Sequence, residues 1–345
     1  MMKVKFKILI ALLALLPLGL KAEDYSKTIH KGYTTSQITA LDVSNKFGTI
    51  EINDFGGDSV TVDVTITVES NSEGRAAQLM NLIQININRS GSVLNAQTVI
   101  SDDFKSKQNF SIDYKINIPK DRKLDVQNKF GNVAVQALDA AGSFDISYGN
   151  LTAGVLNSPG DGVLLDLSYG KADIESVNKM QGEVKYSKVY VGQAGFLSME
   201  TKYSGINVDE LQSLSLESKY DDVKLGHVGS VTAESKYTNY SLDELSGSMN
   251  INTEYGSVRV GKVLPNFSKI EITNSYGGIS LGMDQLSYLL DADCDYCDVK
   301  YPTESFQGNR QKDNSRLQVE GNVGTPSGGQ QVIIKSRYGG IKLNK

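Results

Sequence analysis

Tryptophan is absent from this 345-residue sequence, and cysteine, histidine and proline are scarce, at two, two and six residues. Two cysteines in so long a chain cannot be its main source of stability, so a hydrophobic core must hold the fold. The only histidines, His30 and His227, belong to no ligand-like cluster and leave a zinc centre without ligands. Basic excess is also missing: a net charge of −5 gives nucleic-acid phosphates no general attraction, which removes nucleic acid as a partner. No G-x-S-x-G, H-E-x-x-H or P-loop phrase occurs. No catalytic residue, metal site or cofactor is therefore assigned, and the chain is expected not to be an enzyme.

Long apolar runs are missing as well, with one exception at the start. Lys3, Lys5 and Lys7 precede an apolar run from Ile8 to Leu18 and the small residue Ala22, the order of parts in a secretory signal peptide. The run is shorter than the roughly 20 residues that span a bilayer, and no later segment is apolar enough to do so. Residues 1–22 are expected to be removed on export. The mature chain would then begin near Glu23, in the periplasm or on the outer cell surface, with no transmembrane segment. No cysteine follows the run to carry a lipid.

What the sequence does have is 33 glycines and 17 tyrosines, and most of them recur in one phrase. An aromatic residue is followed by Gly or a small polar residue and then by alternating apolar residues. NKFGTIEI at 45–52, NKFGNVAV at 128–135, SYGNLTA at 147–153, KYSKVYV at 185–191, EYGSVRV at 254–260 and RYGGIKL at 337–343 are examples. The aromatics Phe130, Tyr148, Tyr169, Tyr186, Tyr203, Tyr220, Tyr237, Tyr255, Tyr276 and Tyr296 are 17 to 21 residues apart, with four consecutive steps of 17; Phe47 and Tyr338 fall outside this regular run. Apolar or small residues stand six, four and two places before each aromatic and three and five after it, as in Leu214, Leu216, Ser218, Tyr220, Val223 and Leu225. Two period-two strands with a phase slip between them describe a chain that turns a corner after the aromatic. Glycine at that corner, as at Gly131, Gly149 and Gly170, is expected to supply positive φ.

A 17-residue coil is too small to stand alone, but stacked coils share backbone hydrogen bonds and one continuous core. Propeller blades and leucine-rich repeats need other periods and phrases. An antiparallel meander is disfavoured, because equivalent residues at a constant period align only when every coil runs the same way. The expected fold is all-β: a right-handed parallel β-helix (solenoid) of about 10–12 short coils, right-handed because such crossovers dominate. Residues 38–120 do not keep the period, and residues 23–122 are expected to form an N-terminal β-rich cap and the first strands, with strands near 59–68, 84–88, 93–99 and 110–118 and one short helix near Glu73 to Ile83. The solenoid would occupy 123–345, with an excursion loop or hairpin at about 302–331 before the Tyr338 coil closes the chain.

Three rows follow from this register. The aromatics form a structural ladder. Two places before them an inward row of small polar residues (Asn45, Asn128, Thr201, Ser218, Ser235, Thr253, Asn274, Cys294, Ser336) is expected to satisfy itself as a ladder. One and three places before them, outward columns of Lys185, Lys202, Lys219 and Lys236 and of Glu183, Glu200, Glu217 and Glu234 describe a solvated face of paired charges. The same columns are candidates for binding a repetitive polymer such as a glycan.

Cys294 and Cys297 make a C-x-x-C phrase, but each fills a repeat slot, so a structural pair or local disulfide is expected rather than redox or metal chemistry. Asp221, Asp222, Asp291, Asp293, Asp295 and Asp298 are the acidic candidates for glycan cleavage or weak calcium binding. Solvated turns account for Asp221 and Asp222, and no Arg or His flanks Asp293 and Asp295 in the same phrase.

The order of parts, with NKFGTIEI, a helix-containing insert, YKINIPKDRKLDVQNKFGNVAV at 114–135 and a run of aromatic-Gly coils, resembles the putative adhesin family of bacterial envelope proteins, the DUF4097/DUF2807-like group. The resemblance covers most of the chain after residue 22 and implies a right-handed β-helix outside the cytoplasmic membrane. Ser187, Ser204, Asp221 and Thr238 depart from that family's Gly corner. The resemblance implies a non-catalytic exported surface or envelope protein, with a glycan or another envelope or host component as partner. A glycan-processing enzyme on the same scaffold and an envelope-stress accessory protein are the alternatives.

Overall fold

The computed structural model describes residues 22–160, 162–326 and 328–343. The stretch expected to be a signal peptide lies, apart from Ala22, outside the described residues. Among those described, no helix is long and apolar enough to cross a membrane.

The chain is a parallel β-solenoid, because the alternation of apolar residues repeats at a near-constant step. Lys188–Lys202 pairs in parallel with Gly205–Lys219, setting Val189 against Ile206, Leu197 against Leu214 and Lys202 against Lys219. The same register carries on into Asp222–Lys236. Ile206, Val208, Leu211, Leu214 and Leu216 turn inward and are at most 5% exposed. Each is worth about 1.5–3 kcal/mol of burial. The pairing skips Asp209 and Gln212, so the coil bends at those two points as well as at the aromatic corner. Where these bends carry glycine, coils approach closely: a Cβ on Gly226 or Gly229 would meet a carbonyl of the preceding coil at 2.4 Å.

Both ends are closed by antiparallel strands, which leave no long parallel edge open to another chain. The Phe47 coil is the first of the stack: Ala40–Lys46 pairs in parallel with Lys123–Lys129, and Ile50–Ile52 with Val133–Val135. Segment 55–122 builds the cap over this coil. Val93–Ile100 and Phe110–Ile118 lie on it in parallel. Ser59–Ser70 pairs antiparallel to Phe110–Ile118 and carries Glu23–Thr34 on its other edge, while Ile83–Ser90 pairs antiparallel to Val93–Ile100. The one α-helix among the described residues, Glu73–Met80, is capped by the Ser72 side chain accepting from Arg75 N–H and buries Ala76, Leu79 and Met80.

At the other end, Phe306–Asp313 and Arg316–Val323 form the expected hairpin, and its second strand pairs antiparallel to Tyr288–Asp295. One expectation is overturned: the Tyr338 coil, last in sequence, is not last in the stack. Gln331–Arg337 lies between Lys269–Ser275 and Leu289–Asp295, parallel to both. The hairpin covers the Tyr296 coil instead.

Candidate binding face

All twelve ladder aromatics have positive φ, between 52° and 65°. The left-handed region is strained for a bulky side chain, at about 1–2 kcal/mol per residue. It is also what produces the phase slip: one left-handed residue reverses the alternation, so the ring swings outward while both flanking strands keep their apolar residues inward. The rings then stack along the rod in the order Phe47, Phe130, Tyr148, Tyr169, Tyr186, Tyr203, Tyr220, Tyr237, Tyr255, Tyr276, Tyr338, Tyr296, with centroids 4.7–5.1 Å apart. Stacked pairs contribute about 0.5–1.5 kcal/mol each, the same order as the strain they offset.

Positive φ therefore belongs to the aromatic, not to the glycine after it. Glycine is there for room. A Cβ on Gly149 would sit 1.9 Å from the Gly131 carbonyl oxygen, and one on Gly277 1.8 Å from that of Gly256. Ser187, Ser204, Asp221 and Thr238 can occupy the same place because the corner backbone is arranged differently there. The third residue after the aromatic donates forward in the glycine coils, as Val258 N–H does to Gly278 O; in the middle coils the second residue donates backward, from Gly205 N–H to Ser187 O and from Asp222 N–H to Ser204 O. The corner side chains then accept the freed N–H groups: Gly170 N–H donates to Ser187 Oγ, Ser187 N–H to Ser204 Oγ and Ser204 N–H to Asp221 Oδ1.

The inward polar row serves this corner rather than bonding chiefly along itself. Asn128 Nδ2 donates to Gly48 O and Asn132 O, Asn274 Nδ2 to Gly277 O, and Ser336 Oγ to Gly339 O. Only the Ser235 Oγ to Thr253 Oγ1 contact, 2.8 Å, joins two members of the row side chain to side chain. Cys294 and Cys297 form a disulfide across the same two positions. Asp221 is not in a solvated turn: it is 3% exposed and accepts from Thr201 Oγ1, Ser218 Oγ, Ser204 N–H and Lys219 N–H. Its corner position draws the side chain inward, where the row's hydroxyls converge on it.

The charge columns stand on the strand leading into the ladder. Lys185, Lys202, Lys219 and Lys236 lie in register, as do Glu183, Glu200, Glu217 and Glu234. Lys185 contacts Glu183, Lys236 contacts Glu254 at 3.0 Å, and Lys202 leans over the Tyr203 ring. The acidic column continues beyond Glu183 to Asp166 and Asp145. Asp145 and Asp166 face each other in register, and Glu183 N–H donates to Asp166. Desolvation, with the Asp166 and Asp125 charges adding to it, pushes the Asp145 carboxyl above its usual range. The signal was present in the sequence, since both residues stand three places before Tyr148 and Tyr169.

On the other side of the ladder runs a furrow of about 990 Å³. Tyr186, Tyr203 and Tyr220 form one wall, Lys188, Asn207 and Lys224 the other, and Ser204 and Gly205 lie between them. It runs past the Tyr186, Tyr203 and Tyr220 coils, and its far wall changes from coil to coil: Tyr190, Asn207 and Lys224 stand four places after those three aromatics.

The acidic candidates do not assemble a cleavage site. Asp222 is exposed and touches Asn239; Asp291 is exposed; Asp298 follows the Tyr296 corner, where its carbonyl accepts from Ile341 N–H. Asp293 has the arginine that its own phrase lacks: the hairpin strand brings Arg316, which grips it through two nitrogens and holds its carboxyl below the usual range. Asp295 accepts from Ser315 Oγ and lies 3.6 Å from Arg337. His30 pairs with Asp63, and His227 lies between Glu210 and Glu244. Among the described residues, no group of three or more His, Cys, Asp or Glu is arranged to hold a metal ion.

No curated protein matches the sequence. Among solved structures, the chain is similar to a putative adhesin from Parabacteroides merdae (13% identity, covering 74% of this chain and 96% of that one, TM-score 0.38). It is similar too to a putative adhesin from Bacteroides fragilis (14%, 74% and 97%, TM-score 0.32) and to a putative cell adhesion protein from Clostridium sporogenes (10%, 93% and 99%, TM-score 0.20). The Toastrack DUF4097 family model matches residues 38–344, and the chain belongs to that family.

Proposed function

We propose that this protein is a non-catalytic, exported adhesion module of the cell envelope, and that it holds an extended glycan along the tyrosine ladder and its furrow. The observation that carries this reading is the exposed aromatic stripe. From Phe130 to Tyr296 each ring is 41–57% exposed. At ~150–250 Å² per aromatic side chain the stripe presents on the order of 1,000 Å². Contiguous patches on ordinary monomers are smaller, and larger ones mark interaction sites.

The geometry favours a polyhydroxylated chain. Ring faces are taken by neighbouring rings, so a partner meets ring edges and phenol hydroxyls, with Lys188, Asn207 and Lys224 across the furrow. Such a surface recognises by repeated hydrogen bonds rather than by stacking. A linear polymer laid along the rod meets a ring edge and a phenol hydroxyl at each tyrosine coil, and many weak contacts sum by multivalency.

The test is a glycan array probed with wild type and with Tyr203→Phe/Tyr220→Phe, which keeps the stack and removes two hydroxyls. Binding to extended glycans that weakens in the variant at unchanged melting temperature supports the reading. Absence of binding across the array, or binding indifferent to both hydroxyls, rejects it.

A further inference from the structure

The flanks of the tyrosine ladder change sign along the rod. One place before the rings stand Lys185, Lys202, Lys219 and Lys236 in adjacent coils. Beyond them the row reads Glu254, Ser275, Arg337 and Asp295, and Arg337 lies 3.6 Å from Asp295. Asp298 follows Tyr296 in the place that Lys188 takes after Tyr186. The flanks are thus basic from Tyr186 to Tyr237 and acidic at Tyr296, in a chain whose net charge is −5.

Within the basic stretch the lysines divide by their partners. Lys185 contacts Glu183, Lys236 contacts Glu254, and Lys171 in the furrow contacts Asp173. Lys202 and Lys219, on one side of the Tyr203 and Tyr220 rings, and Lys188 and Lys224, on the furrow side, form no ion pair among the described residues. All four are exposed. Lys202 leans over the Tyr203 ring, and Glu200 and Glu217 stand two residues before the two lysines, further from the ladder. Asp222 is the one carboxylate among the furrow's lining residues, and it accepts from Asn239.

Lys202 and Lys219 are paired in register one coil apart, and like charges so placed, about 4.8 Å apart along the stack, repel. An anionic group laid between them relieves that repulsion and accepts from the ammonium groups and the phenol hydroxyls together. We propose that the ligand of the ladder is an anionic glycan, bearing carboxylate or sulfate groups, seated over Tyr203 and Tyr220 with its charges against Lys188, Lys202, Lys219 and Lys224. This rests on the reading of the ladder as a glycan-binding face and narrows it in class and in place. An uncharged polymer gains nothing from the four ammonium charges, and Asp295 and Asp298 turn a charged one away from the far end. Lysine is a compact point charge that suits sulfate as well as carboxylate, so experiment separates the two.

Two matched pairs of polymers provide the test: polygalacturonate with its full methyl ester, and dextran sulfate with dextran. Each is titrated calorimetrically into wild type, Lys188→Gln/Lys224→Gln, Lys202→Gln/Lys219→Gln and Tyr203→Phe/Tyr220→Phe, with thermal melts confirming the fold of each. The charged member of at least one pair should bind, more weakly at high salt, and its neutral partner at least about tenfold less tightly. Each lysine variant should lose about two- to thirtyfold at an unchanged melting temperature. The pair that responds tells carboxylate from sulfate. A neutral polymer that binds as tightly as its charged form, and less tightly to the hydroxyl variant, overturns the proposal and leaves the glycan reading standing. Charged binding indifferent to all four lysines, or matched by a single-stranded oligonucleotide, overturns it too. Should neither pair bind, the glycan array decides: bound glycans that are all neutral overturn the proposal alone, and an array without binding overturns both.

Discussion

The rings of Tyr203 and Tyr220 stack 4.8 Å apart and 8° from parallel, and both residues hold a left-handed backbone, at φ 52° and 62°. Stacking and strain are two properties of one position, and substitution separates them. Tyr203→Ala removes the ring and keeps the strain; Tyr203→Gly removes both, because glycine takes positive φ freely. The glycine variant should therefore be the more stable of the two by about 1 kcal/mol, although it is the smaller side chain and usually the worse one in a strand. Urea denaturation of the two variants measures the difference, and an alanine variant equal to or above the glycine one would show that the corner is unstrained.

Asp221 offers a second test inside the same coil. Its carboxylate accepts from two hydroxyls and two backbone N–H groups in a buried site. Asp221→Asn is nearly the same shape but turns one acceptor into a donor, facing donors. Leaving such a group unmatched costs about 1–3 kcal/mol. The expected outcome is a lower urea midpoint at an unchanged slope, with Asp221→Ser, the residue of the Ser204 coil, closer to wild type. A neutral Asn substitution would mean that the four donors find other partners.

These two positions also show how far the sequence could be read. A constant count from each aromatic aligned Tyr203 with Tyr220 and implied coils running the same way, because period-two alternation at a fixed step has few other solutions. That count could not say which residue carries the strain: glycine has both free φ and no Cβ, and only the coordinates separate a glycine needed for room from an aromatic needed for the turn. Nor could it show that Asp221 turns inward, since a carboxylate is buried only when donors from neighbouring coils converge on it. Arg316 escaped for a related reason. It reaches Asp293 through an antiparallel hairpin that interrupts the repeat, and the same interruption hides the place of the Tyr338 coil. Local periodicity fixes what a coil looks like, and long-range pairing decides where it goes.

Buried phenols make the fold sensitive to alkali. Tyr240 takes the inward place held by Val223 one coil earlier, and burial pushes its phenol from about 10 up to about 12; burial does the same to Tyr114, despite its bond to Thr98. Burial also raises Tyr288. The folded state then holds its phenol protons more tightly than the unfolded chain. Stability is fully present below pH 10 and falls as the pH rises towards 12, by about 1.4 kcal/mol per pH unit for each such tyrosine. Tyr240→Phe removes a buried hydroxyl that meets only the Ser235 side chain, so it should change stability at pH 7 by no more than about 1 kcal/mol and should make the alkaline fall shallower. Chemical denaturation at stepped pH checks both; an alkaline slope identical in the two proteins would remove Tyr240 from the account.

The Cys294–Cys297 disulfide joins the row position and the corner position of the Tyr296 coil. In the adjacent Tyr338 coil the same two places are Ser336 and Gly339, linked by a hydrogen bond from Ser336 Oγ to the Gly339 carbonyl. Asn274 and Gly277 make the equivalent link one coil further on. The disulfide thus substitutes for a clamp that this chain otherwise builds without sulfur, and it closes a loop so short that its entropic gain is about 2 kcal/mol. Cys294→Ser/Cys297→Gly reinstates the hydrogen-bonded clamp and should fold with a loss below that figure, whereas Cys294→Ala/Cys297→Ala has no donor for the corner and should lose more. Thermal melts of the oxidised wild type and the two variants order the three. If the Ser/Gly pair proves no better than the double alanine, the disulfide at that corner does something the hydrogen bond cannot.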